Sequence, residues 1–113
     1  MQDLKARTKR FALDLIRCCR SLPAGDEFVI IRRQVIRSAT SVASNYRAAL
    51  RAKSKADFVS KLGTVEEEAD ETLFWLEVLA ELIVPQPAEL RRLLVEANEL
   101  VAIIVTSRKH ARD

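Results

Sequence analysis

A chain of 113 residues carrying a formal charge of +3 has room for one domain with a single small core. Hydrophobic residues at 49% and charged residues at 31% exclude a disordered tail, and two glycines with three prolines are too few for the turns of an all-β fold. No run of about 18 apolar residues is present, so no membrane span is expected, and Asp14 and Arg17 interrupt the basic N-terminal region where a secretion signal would be apolar.

A first helix is predicted from about Asp3 to Leu22, with Leu4, Phe11, Leu15, Cys18 and Leu22 in one stripe and Arg10, Asp14 and Arg17 on the far side. Pro23 and Gly25 stop it, and Asp26 is suited to cap the next helix. The second helix is predicted from about Glu27 to Ala52. The break that follows, KSKAD, holds Ser54 and Asp57 at capping-box spacing. The third helix is predicted from about Lys55 to Ile83. Pro85 and Pro87 end it, and Pro87 suits the first turn of a fourth helix reaching about Lys109, with a fraying tail from His110 to Asp113. Four helices joined by short connections make an all-α, up-down-up-down four-helix bundle filling residues 1–113 as one domain.

The two cysteines, Cys18 and Cys19, are neighbours. Adjacent helical residues point about 100° apart and cannot bridge without disrupting the helix. They read as reduced thiols of a cytoplasmic protein.

Charge is unevenly spread. Met1 to Val65 holds fourteen Lys and Arg against five acids, whereas Glu66 to Asp113 holds five against eleven. In the second helix the core line is Phe28, Ile31, Val35, Ala39, Val42, Tyr46 and Ala49. Opposite it stand Arg33, Arg37, Thr40, Ser44, Arg47 and Arg51, with no carboxylate one turn away on the same helix. Arg33, Arg37, Arg47 and Arg51 are therefore candidates for phosphate contacts with RNA or DNA. No aromatic residue lies in the stripe for base stacking, so binding would be backbone-driven and salt-sensitive. Alternatively, the stripe is a solvated face, or pairs with Glu67, Glu71 and Glu81 of a neighbouring subunit.

The third helix directs Phe58, Leu62, Val65, Ala69, Thr72, Leu76 and Leu79 to the core. Its opposite face begins with Glu67 and Glu71, then shows Phe74 and Val78. The stretch LFWLEVLAELI, which includes Trp75 and Leu82, is apolar nearly all round, as is LVAIIV in the fourth helix. A monomeric bundle cannot bury both outer faces, so a homo-oligomer with Phe74, Trp75, Val78 and Leu82 at the interface is expected.

From Gln34 to Leu79 the chain resembles the four-helix-bundle proteins encoded in intervening sequences of bacterial 23S ribosomal RNA genes. That family is related to the accessory variability proteins of diversity-generating retroelements. The matching residues are Gln34, Arg37, Ser38, Ala39, Ser41, Val42 and Asn45, followed by Ser54, Asp57 and Phe58. The sequence after Asn45 resembles a subgroup with Asn-Tyr-Arg-Ala and a following Val-Glu-Glu-Glu-Ala-Asp-Glu, here Val65 to Glu71. The resemblance implies a closed ring of five subunits. In the retroelement relatives it implies a basic surface for nucleic acid and a reverse transcriptase. It brings no catalytic residue and no cofactor.

Three enzymatic or metal sites are conceivable on these residues. Glu67, Glu68, Glu71 and Glu96 resemble the Mg²⁺-binding carboxylates of all-α nucleotide pyrophosphohydrolases. However, helix geometry turns Glu67 and Glu71 away from the core. A di-iron bundle needs paired histidines, and His110 is the only one. Cys18 and Cys19 lack a neighbouring base. The expectation is therefore no metal, no cofactor and no catalysis. Ser38, Ser41 and Asn45, at the edge of the core line, read as helix-packing residues.

Overall fold

Asp3 caps the first helix, α1 (Leu4–Cys19), by accepting from the Ala6 N–H at 3.1 Å. This satisfies one of the N–H groups that a helix start leaves without a partner. The structure is a computed structural model describing residues 3–113. α1 stops short of the expected Leu22: the N–H groups of Ser21 and Leu22 tighten onto the carbonyls three residues back, at 3.1 and 3.3 Å, before Pro23.

The second helix, α2, spans Asp26–Ala49, and its cap differs from the expectation. Gly25 holds the capping position at φ 136°, a backbone region that costs glycine little and other residues much. Asp26 and Glu27 instead sit in the first turn, where their charge suits the helix dipole. The helix gives way to a turn at Leu50, three residues earlier than the sequence suggested.

The third helix, α3, spans Lys55–Leu82 and begins as expected. Ser54 Oγ accepts from the Asp57 N–H at 3.0 Å, and the Asp57 carboxylate accepts from the Lys53 N–H at 3.0 Å. The last helix, α4, spans Ala88–Arg112, with Pro87 just outside it at the cap. The segment from His110 to Arg112, expected to fray, is helical.

Each helix packs on its neighbours in the chain, and α1 closes the circuit against α4, giving the up-down-up-down bundle. The α1–α4 seam is the thinnest of the four. Leu15, Val35, Val42, Leu62, Val65, Leu76, Leu93, Leu100 and Ile104 form the fully buried centre. The predicted core lines of α2 and α3 hold, with Tyr46 and Phe58 half-buried near the ends of their helices. In α1 the buried thiol is Cys19, and Cys18 is half-buried. Thr8 and Ala12 also face inward, so the buried face of α1 takes in Cys19 rather than Cys18. Burial pushes the Cys19 thiol up to about 11, and the neighbouring Cys18 adds to the effect.

Polar groups fix the register of the α2–α3 pair. The hydroxyls of Thr72 and Ser38, both buried, meet at 2.8 Å, and Ser38 donates to the Val35 carbonyl at 3.2 Å. Asn45 donates to the carbonyl and hydroxyl of Ser41 at 2.9 and 2.8 Å. Satisfied polar pairs inside a core specify one alignment, because any slip would leave them without partners.

Candidate nucleic-acid interface

Arg33, Arg37 and Arg47 lie on the exposed side of α2, as the 3.6-residue period requires, whereas Arg51, expected in the same helix, stands exposed in the turn that follows it. They are not equivalent. The Ser38–Thr72 register places Arg37 across from Glu68 and Glu71 of α3 in the same chain. Its guanidinium donates to Glu68 Oε2 at 3.0 Å and to Glu71 Oε2. Those bonds, with Glu71 first, raise the Arg37 pKa above its ordinary value. Arg37 is therefore neutralised within its own subunit, whereas the sequence alone left the whole stripe uncompensated.

Arg33, Arg47 and Arg51 form no ion pair among the described residues. Two further groups of cations join them that the stripe argument missed. Lys5 and Lys9 of α1 stand across from Arg47 at the rim of a groove of about 330 Å³ between α1 and α2. Ala12, Leu13, Ile16 and Ala43 make its apolar floor. The α2–α3 turn adds Lys53 and Lys55, both exposed. The nearest acid in sequence, Asp57, is occupied: it accepts from the Lys53 N–H and from Lys61 Nζ at 2.5 Å. Lys61 holds its carboxyl below the usual range. The signal for Lys5 and Lys9 was present in their i, i+4 spacing on the flank of α1. Lys53 and Lys55 lie in the KSKAD break, where the sequence signals a turn.

The predicted interface residues separate as well. Phe74 is 52% exposed and Leu82 51%, whereas Val78 is half-buried. Trp75 packs against the core and donates its indole N–H to Glu71 at 3.3 Å. Phe74 meets it edge-on, with ring centroids 5.0 Å apart. Val95 and Val105 of α4 are exposed, but Leu100 and Ile104 are fully buried.

The four carboxylates of the pyrophosphohydrolase pattern are not brought together. Glu68 and Glu71 serve Arg37 at the α2–α3 seam. Glu96 serves Arg7 at the α1–α4 seam at 2.8 Å, and Glu67 points to solvent. Among the described residues no cluster of three or more His, Cys, Asp or Glu side chains has the arrangement to hold a metal ion. No helix there is long and apolar enough to cross a membrane.

The family model for 23S rRNA-intervening sequence proteins matches residues 2–106. The chain belongs to that family. The chain is also similar to a crystal structure of a protein of unknown function from the S23 ribosomal protein family of Bacteroides thetaiotaomicron. The TM-score is 0.83 at 28% identity, over 93% of this chain and 97% of that one. No curated protein matches the sequence. Family and fold thus agree with the resemblance read from Gln34 to Leu79.

Proposed function

We propose that this protein is a non-catalytic helical-bundle scaffold that binds the phosphate backbone of RNA or DNA through the α1–α2 side and the α2–α3 turn. One observation carries the reading: Lys5, Lys9, Arg33, Arg47, Arg51, Lys53 and Lys55 are exposed and their side chains form no ion pair among the described residues, while Asp57, the acid nearest Lys53 and Lys55 in sequence, is already engaged by Lys61. Cations gathered without counter-charge repel one another, and a polyanion relieves that repulsion while releasing its own counterions. The surface lacks exposed aromatic rings, so it fits backbone contact rather than base reading.

A salt titration tests this. If four to six phosphates are neutralised on a duplex, log K falls against log salt with a slope of roughly −3 to −5. Replacing Arg33, Arg47 and Arg51 by Ala should flatten the slope by about 2 to 3. Arg37→Ala, whose charge is spent on Glu68 and Glu71, should leave it nearly unchanged. Absence of binding at low salt, or an undiminished slope in the triple variant, refutes the proposal.

A further inference from the structure

The chain order of an up-down-up-down bundle brings the end of α2, the start of α3 and the end of α4 to one end of the molecule. The proposed phosphate surface reaches that end at Arg51, Lys53 and Lys55 and uses nothing on α4. Yet the last turns of α4 carry Arg108, Lys109, His110 and Arg112, with Asp113 the one acid of that stretch. Lys109, His110 and Arg112 are exposed, and their side chains form no ion pair among the described residues. Cations suit the negative end of a helix dipole, which accounts for their place on α4. It does not account for Gly63, buried inside α3, where glycine costs stability relative to alanine. A Cβ there would come within 3.1 Å of the Arg108 guanidinium, so Gly63 keeps open the space in which Arg108 lies across α3. Arg108 adds little stability in exchange. Its Nε is buried without a hydrogen-bond partner, and Glu66, 3.7 Å from Nη1, is itself 33% exposed. α3 thus gives up helix propensity to hold a guanidinium that the fold barely uses.

We infer that the end of α4 is the far part of the phosphate surface, and that its ligand is a single strand of nucleic acid led over the end of the bundle. The strand passes from Arg47 on the α1–α2 side, over Arg51, Lys53 and Lys55 at the turn, to Arg108, Lys109 and Arg112 on α4. This rests on the proposed phosphate binding and adds the strandedness of the ligand. The reason is curvature. The α1–α2 groove and the α3–α4 seam, which Arg108 crosses, are opposite sides of the four-helix circuit. The bundle measures only 23 by 19 Å across its long axis. A backbone that follows the cations from one side to the other reverses direction within that width. The DNA double helix resists bending over about 150 base pairs and meets one side or the end, not both sides. A single strand bends at every nucleotide and follows the whole path.

Two probes test this: a thymidine strand of about 20 nucleotides, longer than the sites such surfaces cover, and the duplex it forms with its adenosine complement. Fluorescence anisotropy follows each across a salt series. The proteins are wild type, the triple variant Arg108→Gln, Lys109→Gln and Arg112→Gln, and Gly63→Ala. Each phosphate contact on a single strand contributes roughly 0.7 to the slope of log K against log salt. The triple variant should therefore flatten the single-strand slope by about 2 and leave the duplex slope nearly unchanged. Gly63→Ala keeps every charge and displaces Arg108 alone, so it should flatten the single-strand slope by about 0.7, and it gives an answer even where the triple variant misfolds. A triple variant with the wild-type circular dichroism spectrum and the wild-type single-strand slope overturns the inference. Equal losses on both probes overturn it, as does a Gly63→Ala slope identical to wild type. In each of these cases a flatter duplex slope on replacing Arg33, Arg47 and Arg51 still supports the proposed function by itself. Binding of neither probe at low salt overturns both.

Discussion

Removing the Arg7 guanidinium should open the thinnest seam of the bundle in a pH-dependent way. Arg7 Nε and Nη2 donate to the two oxygens of Glu96, both at 2.8 Å, and Nη2 also donates to Glu99 at 3.1 Å. Arg92 and Asp14 also pair across α1 and α4, at 3.0 Å. Arg7 and Glu96 are only 24% and 22% exposed. Exposed pairs contribute about 0.2–1 kcal/mol, and forked, charge-assisted bonds are about twice as strong, so Arg7→Met should cost about 1–2 kcal/mol. Methionine keeps most of the apolar stem, so the loss reports the charge. For a chain of this size each kcal/mol shifts Tm by roughly 4–8 °C. The Arg7 bonds outweigh the opposing effect of burial and hold the Glu96 carboxyl below its usual range. A depressed folded-state pKa gives stability that is complete above the unfolded value of about 4.3 and lost as pH falls through the folded value. Thermal unfolding followed by circular dichroism should therefore show the variant clearly below wild type at neutral pH, with the gap closing in strong acid. Equal melting at neutral pH, or a gap that persists once Glu96 is protonated, refutes the reasoning.

Gly63 is buried in α3, where an added Cβ would meet the Arg108 guanidinium at 3.1 Å. That group is the far end of a flexible side chain, its Nε lacks a hydrogen-bond partner, and Glu66 lies 3.7 Å from its Nη1. Gly63→Ala should therefore displace Arg108 cheaply, gain most of the roughly 1 kcal/mol of helix propensity and raise Tm; a lower Tm would show that Arg108 is fixed there. Iodoacetamide near neutral pH should label half-buried Cys18 well before buried Cys19, read by peptide mass mapping. Equal rates would contradict the burial that raises the Cys19 thiol.

By itself the sequence determined the helices and their inward faces. Apolar spacing, the Ser54–Asp57 cap and the prolines are local signals, and local signals are readable from one strand of text. Its errors at helix ends were local too. Gly25 displaced Asp26 from the cap because the chain needed a positive φ there, and α1 and α2 stopped early in turns that no single residue announces. The sequence also placed Arg33, Arg37 and Arg47 on one side of α2, since 100° per residue suffices for that, but it carried Arg51 into the helix although the chain has already turned there. Which of those charges remained free was decided only by the tertiary structure. Helix periodicity says what shares a face but not what lies across a seam. The buried Ser38–Thr72 contact set the offset between α2 and α3, and that offset handed Arg37 to Glu68 and Glu71, while the packing of α1 on α2 left Arg47 opposite Lys5 and Lys9. Ion pairing depends on distances of a few ångströms between residues some thirty positions apart, and only packing fixes those distances.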